Sequence, residues 1–377
     1  MNSNINKAGM KTILLVAGTR PEIIKTVPVV IEARKRKDSK VVYCLTGQHK
    51  SMALEALSIF GVEPDDDLQI MRPNQTLNNI SESVFAKMPS VIERIKPDVI
   101  MVQGDTTTAA MTALCAFNMK VPVAHIEAGM RSFNMDAPYP EECNRRLIGV
   151  VSKYNFCPTT MALENLRREG ASEETLFVTG NTVVDALRLI QEQHDLDRLE
   201  RIDKDLKKPF VLITAHRRES FGGGFKNICT SIRECALRYP NYQFIYPVHL
   251  NPNVKVPVHE LLGNISNVKL IPPIPYLEML TLIKHCEFVI SDSGGIQEEA
   301  PSFGKHCIVL REVTERVESV NLGMSELVGT DVGKILDAVQ RSVAGKIRHD
   351  VHQNPYGDGH ASEKILDILM KYNTAIL

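Results

Sequence analysis

Two Rossmann-like domains of α/β type, facing each other across a cleft, are what this sequence predicts, on three observations. Short runs rich in Val, Ile and Leu alternate with longer helical stretches from one end of the chain to the other. The run Phe288–Ile290 is apolar throughout, the pattern of a strand buried on both faces of a parallel sheet. The chain has 377 residues, enough for two separate cores.

The first unit reads as a strand at Thr12–Ala17, the turn Gly18-Thr19-Arg20-Pro21-Glu22, and an amphipathic helix reaching Arg36. Pro21 suits the first helical position, where a missing N–H costs nothing. Arg20 and Lys25 then lie near the helix N-terminus with Glu22 as the one acid to pair with. They read either as solvated surface charge or as the seat of an anionic ligand. Val41–Leu45 is the second strand and exits at Thr46-Gly47-Gln48-His49, followed by helices at Ser51–Phe60 and Thr76–Ile95 joined across the acidic loop Pro64–Asp67.

Asp98–Gln103 and Val121–Ile126 are the next strands, exiting at Gly104-Asp105 and at Glu127-Ala128-Gly129. Each delivers a carboxylate to the sheet edge where open α/β folds bind ligands. Neighbouring parallel strands lie ~5 Å apart, so Asp105 and Glu127 can share one pocket. Pro140 then starts a helix with Glu141 and Glu142 in its first turn. Acids favour that position for the dipole alone, and Glu141 can equally be a third carboxylate of the cluster.

After Tyr154–Cys157, a helix and Leu176–Thr179, the phrase Gly180-Asn181-Thr182-Val183-Val184 opens a helix that fades into the charged stretch His194–Lys208. The domain change is expected near Asn181. A new series begins with Phe210–Thr214, which exits into His216-Arg217-Arg218 and the glycines Gly222–Gly224. Gln243–Val248 exits at His249. The apolar run Phe288–Ile290 stops at Ser291-Asp292-Ser293, turns on Gly294-Gly295 and enters a helix that Pro301 to Gly304 closes. Such a turn leaves backbone N–H groups aimed above the sheet, where phosphate fits, and Glu299 can accept from a ribose diol. The alternative is that Ser293 merely caps the helix while Glu298 and Glu299 complement its dipole. Cys307–Leu310 is the following strand, Val332–Ala344 a surface helix, and Asn354–Gly359 breaks the chain before a last helix, Ser362–Tyr372.

A formal net charge of −1 offers no basic field for nucleic acid or anionic lipid. Met1–Met10 is polar, without the apolar core of a signal peptide, and no apolar run approaches the ~20 residues needed to span a membrane. The eight cysteines show no C-x-x-C pair and no zinc spacing. A reduced, cytoplasmic protein is expected.

With these residues laid out, the chain resembles the non-hydrolysing UDP-N-acetylglucosamine 2-epimerase family. The resemblance is carried by Gly18–Pro28, Gly104–Ala109, His125–Arg131, Pro140–Arg145, Gly180–Asp185, Ala215–Phe221, Tyr246–Val254, Asp292–Lys305 and Thr314–Arg316, in the family's order from end to end. It implies a GT-B fold, with an N-terminal domain over 1–181, a UDP-binding domain over 182–359, and a last helix in 360–377 packing back on the first. It also implies a homodimer that interconverts UDP-GlcNAc and UDP-ManNAc with no metal or nicotinamide cofactor, supplying precursors for bacterial surface polysaccharide. Asp105, Glu127 and Glu141 fall on the family's catalytic acids and His216 on its histidine near the diphosphate. Arg20, Lys25, Arg145 and His249 fall on substrate-binding positions, and Ser293, Gly294, Gly295, Glu299 and Arg316 on the UDP site. Met279 and Val317 depart from the family pattern. Gln48, Glu141, Arg217 and His249 match a set that holds a second, activating UDP-GlcNAc in some bacterial members, whereas Ser51 and Asn74 do not. The alternatives are a C2 epimerase of another UDP-N-acetyl sugar and a GT-B glycosyltransferase.

Overall fold

Thirteen strands form two parallel sheets in the computed structural model, which describes residues 10–47, 50–72, 74–206, 209–345 and 353–371, with Lys50, Ser51 and Arg218 by backbone alone. The first sheet holds β1 (Lys11–Ala17), β2 (Ser39–Leu45), β3 (Asp66–Asp67), β4 (Val99–Gln103), β5 (Val123–Ile126), β6 (Tyr154–Cys157) and β7 (Leu176–Val178) in the order β3-β2-β1-β4-β5-β6-β7. The second holds β8 (Phe210–Thr214), β9 (Gln243–Pro247), β10 (Val268–Ile271), β11 (Phe288–Ser291), β12 (His306–Val309) and β13 (Ser325–Leu327) in the order β10-β9-β8-β11-β12-β13. Every ladder is parallel. The central strands are buried along their length, as their unbroken apolar runs require: Ile13 to Ala17, Val99 to Gln103 and Phe288 to Ser291 all lie inside.

Each sheet carries its own core. In the first, Leu14, Val16, Ile100 and Val102 pack against Val84, Met88 and Ala113 of the covering helices. In the second, Val211, Ile213, Phe244 and Ile290 pack against Phe225, Ile228, Val258 and Ile335. The eight cysteines are all free thiols and seven of them are buried, as small apolar side chains usually are.

The chain divides into two compact units: the described residues up to Ile190 together with those from Tyr356 onward, and Gln191–Pro355. The sequence puts the first change near Asn181, whereas the whole helix Thr182–Gln193 apart from its last turn stays with the first unit. Asp185, buried in that helix, explains this. Its carboxylate accepts from the N–H groups of Ala361 (3.1 Å) and Ser362 (2.7 Å), capping the helix Ala361–Lys371, and Arg188 donates to the carbonyl of Gly359 at 3.1 Å. The same last helix is bound to the first strand through Lys11, whose ammonium donates to the carbonyl of Leu369 at 2.5 Å, and to the end of the helix Arg20–Lys35 through the Arg36–Asp367 pair at 2.7 Å. Residues 372–377, expected to continue this helix, lie outside the described residues.

One expected loop is a strand. Asp66–Asp67 joins the sheet edge beside β2, pairing Cys44 with Asp66 and Leu45 with Asp67. Two residues with charged side chains form an edge strand because only one side of the backbone needs a partner there. β13, also an edge strand, has one apolar residue in three and gives no strand signal, and the apolar run of β10, at the opposite edge, is short and broken by Lys269.

Candidate active site

In the first sheet β1 and β4 are neighbours, but the chain leaves β1 toward β2 on one side and β4 toward β5 on the other. The crevice at their carboxyl ends is therefore a topological switch point, where α/β sheets receive ligands. Arg20 starts the helix that follows β1, and among the described residues its guanidinium has no ion-pair partner. Glu22, the one acid beside Arg20 and Lys25 in the sequence, pairs with neither. Its buried carboxylate accepts from the N–H of Gly18 (3.0 Å) and Thr19 (2.6 Å) and from the Thr106 hydroxyl (2.7 Å), fastening the β1 exit to the β4 exit. Burial pushes its pKa up, against the pull of those hydrogen bonds.

Lys25 pairs with Glu127, the first residue after β5. The same oxygen, Glu127 Oε2, accepts from Gln103 Nε2 at 2.9 Å and, at the outer limit of hydrogen bonding, from Asn181 Nδ2 at 3.5 Å. Glu127 has left-handed backbone (φ 67°), which residues with a Cβ rarely adopt and which clusters at functional sites. Its chain neighbours hold it there: Ala128 N–H donates to the Phe156 carbonyl at 3.0 Å and Asn165 Nδ2 to the Gly129 carbonyl at 3.0 Å. Gly129 admits no other residue, since a Cβ there would stand 2.1 Å from the Ala162 carbonyl oxygen.

Asp105 follows β4. Its carboxylate lies 2.6 Å from Arg145 Nη2, and its backbone carbonyl accepts from Asn144 Nδ2 at 2.9 Å. Both partners sit on the helix Glu141–Val151, and Glu141, three and four residues before them, shares their face. Glu142, the next residue, is fully buried: it accepts from the N–H groups of Ser132 (2.9 Å) and Phe133 (3.3 Å) and meets Arg145 at 3.2 Å. It is a structural acid. His125, buried in β5, has Nε2 2.7 Å from the Gly104 carbonyl oxygen. A carbonyl only accepts, so Nε2 carries the proton, and burial lowers the ring's pKa to about 4, leaving it neutral.

The second sheet has its own switch point, between β8 and β11. His216 follows β8 and Ser293 follows β11. The two strand ends are joined by a hydrogen bond between the hydroxyls of Thr214 and Ser291 at 2.7 Å, and by Asp292, whose buried carboxylate accepts from the N–H groups of His216 (2.6 Å) and Arg217 (2.7 Å). His216 Nδ1 lies 3.6 Å from the other Asp292 oxygen, too far for a hydrogen bond but within electrostatic reach. The His216 ring stacks on His249, centroids 5.3 Å apart and 9° from parallel. His249 Nδ1 accepts from the Asn251 N–H at 3.1 Å, so the neutral ring carries its proton on Nε2.

Ser293 makes no side-chain cap to the helix Gly294–Glu299, and Glu298 and Glu299 stand at its last positions. The reading in which serine caps the helix and acids complement its N-terminal dipole therefore fails. Glu298 instead takes Arg316, through Nε at 2.7 Å and Nη2 at 2.5 Å, while Arg316 Nη1 meets Glu315 at 2.5 Å. The guanidinium lies directly on Gly294, where a Cβ would be 2.7 Å from Nη1. Glu299 accepts from the Tyr276 hydroxyl at 2.7 Å, and Gly295 lies next to it with its Cβ direction open to 3.8 Å.

The structure thus joins Lys25 to Glu127 and Asp105 to Arg145 in the first unit, with Glu141 on the helix that carries Arg145 and Arg20 at the neighbouring strand exit. In the second it groups His216 with His249, and Ser293, Gly294, Gly295, Glu299 and Arg316 around one helix start. Gln48 and the side chain of Ser51 lie outside the described residues. Gln103, Asn144 and Asp292 are polar partners that the sequence reading did not assign. For Gln103 and Asp292 the available signal is a polar residue ending an apolar strand, and for Asn144 it is the helical spacing from Glu141. No helix among the described residues is long and apolar enough to cross a membrane.

A family model described as UDP-N-acetylglucosamine 2-epimerase matches residues 31–370. The chain is 46% identical over 375 residues to a UDP-N-acetylglucosamine 2-epimerase of Campylobacter jejuni, covering 96% of this chain and 98% of that protein. The crystal structure of UDP-GlcNAc 2-epimerase from Neisseria meningitidis bound to UDP-GlcNAc superposes with a TM-score of 0.88 at 42% identity, over 96% of this chain and all of that one. A putative UDP-N-acetylglucosamine 2-epimerase from Listeria monocytogenes gives 0.89 at 37% identity, over 96% of each chain. With parallel-sheet units of GT-B type and relatives matched over nearly its whole length, the chain belongs to the UDP-N-acetylglucosamine 2-epimerase family of isomerases.

Proposed function

We propose that this protein interconverts UDP-GlcNAc and UDP-ManNAc by anti-elimination of UDP to 2-acetamidoglucal and re-addition of UDP with a proton delivered to the opposite face of C2. The observation that carries the reading is the pair of carboxylates, Asp105 and Glu127, on adjacent strand exits at a switch point, each held by a cation. The Neisseria meningitidis relative with bound UDP-GlcNAc supports the choice of substrate.

The C2 hydrogen of a GlcNAc unit is not alpha to a carbonyl, so its direct removal is too costly. If the anomeric C–O bond breaks first, UDP leaves with the bonding pair and the developing oxocarbenium acidifies C2–H. A base then takes the proton and the C–H pair becomes the C1–C2 double bond. The return runs the same steps backward from the other face, so an acid and a base are both needed. Asp105, Glu127 and Glu141 supply them. No electrons are gained or lost overall, and the proposed steps draw on neither nicotinamide nor metal. Arg20, His216, His249 and the Ser293-Gly294-Gly295 amides stabilise the departing diphosphate, where negative charge builds. Glu299 and Arg316 hold the nucleoside, and Lys25 and Arg145 set the acids. A cytoplasmic homodimer that supplies ManNAc-type units for bacterial surface polysaccharide fits this chemistry.

Proton NMR of UDP-GlcNAc with the enzyme in deuterated water tests it. Deuterium at C2 of both epimers, with traces of free UDP, is expected. Unlabelled C2 and no second epimer would refute the reading, and would be the result for a glycosyltransferase kept without acceptor.

A further inference from the structure

Gln103, Gly104 and Asp105 are three consecutive residues, and each is pinned by a different element. The Gln103 amide donates to Glu127 Oε2 at 2.9 Å, the Gly104 carbonyl accepts from His125 Nε2 at 2.7 Å, and the Asp105 carbonyl accepts from Asn144 Nδ2 at 2.9 Å. Gly104 has φ 71°, so the turn itself depends on glycine's left-handed freedom. Gln103 is 3% exposed and Asn144 5%, so neither side chain has water as its partner in place of these bonds. A carboxylate and a carbonyl can only accept, so both amides must present nitrogen; their orientation follows from the partners.

We propose that Gln103 and Asn144 are positioning residues that fix the spacing of the three acids, an inference that rests on the epimerase reading above. Gln103 ties the strand carrying Asp105 to Glu127. Asn144 ties the helix carrying Glu141 to the Asp105 turn. The backbone alone does not do this: β4 and β5 pair only as far as Gln103 and Ile126, one residue short of Glu127, and Glu127 then departs into left-handed backbone. Beyond that point the Ala128 N–H holds Glu127 to β6, and it is the Gln103 side chain that ties Glu127 back to β4. The amide nitrogen of Gln103 shares its acceptor with the Lys25 ammonium, so Glu127 Oε2 is held from two directions. A proton-transfer group displaced by about 1 Å loses on the order of 100-fold in rate.

The test uses Gln103→Leu, which keeps the volume but removes the donor, Gln103→Glu, which keeps the shape but replaces the donor by an acceptor, and Asn144→Leu. Steady-state kinetics with UDP-GlcNAc, UDP affinity by calorimetry and thermal melting are measured on each. The expected result is a fall in kcat of about 10- to 100-fold in all three, with KM and UDP affinity within about threefold of the parent because substrate contacts are kept. Gln103→Asn, which retains an amide on a shorter arm, should recover part of the loss relative to Gln103→Leu. Folded Gln103→Glu and Asn144→Leu proteins with kcat within twofold of the parent would overturn the inference, as would a loss confined to KM. If a leucine variant fails to fold, the isosteric Gln103→Glu decides the matter. A parent protein without epimerase activity would instead refute the proposed function, so the two failures are distinguishable.

Discussion

Gly294→Ala probes the second unit through one methyl group. The new Cβ would stand 2.7, 2.8 and 2.9 Å from Nη1, Cζ and Nη2 of Arg316. Ordinary contact begins near 3.4 Å, so the guanidinium must retreat by roughly 0.7 Å. An exposed arginine would do so at little cost. This one is tethered: Glu298 holds Nε and Nη2, Glu315 holds Nη1, and the two carboxylates are 0% and 4% exposed. Retreat stretches bonds of 2.5–2.7 Å and forfeits about one charge-assisted hydrogen bond, 1.5–3 kcal/mol. Replacing glycine by alanine in a helical turn returns about 0.4–1 kcal/mol through the unfolded chain. The net expectation is a destabilisation of about 1–2 kcal/mol, a fall of roughly 2–8 °C in the melting of that unit. If Arg316 also holds the nucleotide, its displacement raises the Kd for UDP about tenfold or more, since each 1.4 kcal/mol is a factor of ten. Calorimetric titration with UDP and a thermal melt read both. Parent-like affinity together with parent-like melting would refute the placement of the guanidinium over Gly294.

Asp105→Asn and Glu127→Gln keep the shape of the acids and remove their basicity; each should lower turnover about 100-fold or more while UDP still binds the intact second unit, and normal turnover in either removes that residue from the chemistry. Asp185→Ala strips the carboxylate from the first two N–H groups of the helix Ala361–Lys371 and should cost about 2–4 kcal/mol, read as faster amide exchange across that helix than across β4. His125 is held neutral by burial, with a folded pKa of about 4 against 6.5 unfolded. Between those values the unfolded chain binds more protons, so its contribution, up to about 3 kcal/mol, is present above pH 6.5 and is lost as pH falls toward 4. Urea titrations should show His125→Gln flattening that part of the stability profile, and an equally steep acid limb in the variant would count against the buried neutral ring.

What the sequence determines by itself is the alternation of strands and helices, the parallel sheets, and the polar residues at strand exits. Those follow from apolar runs too uniform for a half-exposed sheet and from glycines and prolines at the turns, all of them local properties. Asp105, Glu127, His216 and Ser293 are legible for the same reason: each stands one or two residues past an apolar run, and a parallel sheet collects all such ends on one edge. Only the tertiary structure decides who pairs with whom. Glu22 is the acid nearest Lys25 in the sequence, yet it spends its carboxylate on the backbone of Gly18 and Thr19, and Glu127, 102 residues further on, takes the ammonium. Glu141 and Glu142 are neighbours with the same chemistry, and it is Glu142 that the backbone of Ser132 and Phe133 and the Arg145 guanidinium take up. The end of the first unit likewise depends on Asp185 reaching a helix some 176 residues further on. Such choices are made by distances between residues far apart in the chain, and hydrophobic periodicity carries no information about them.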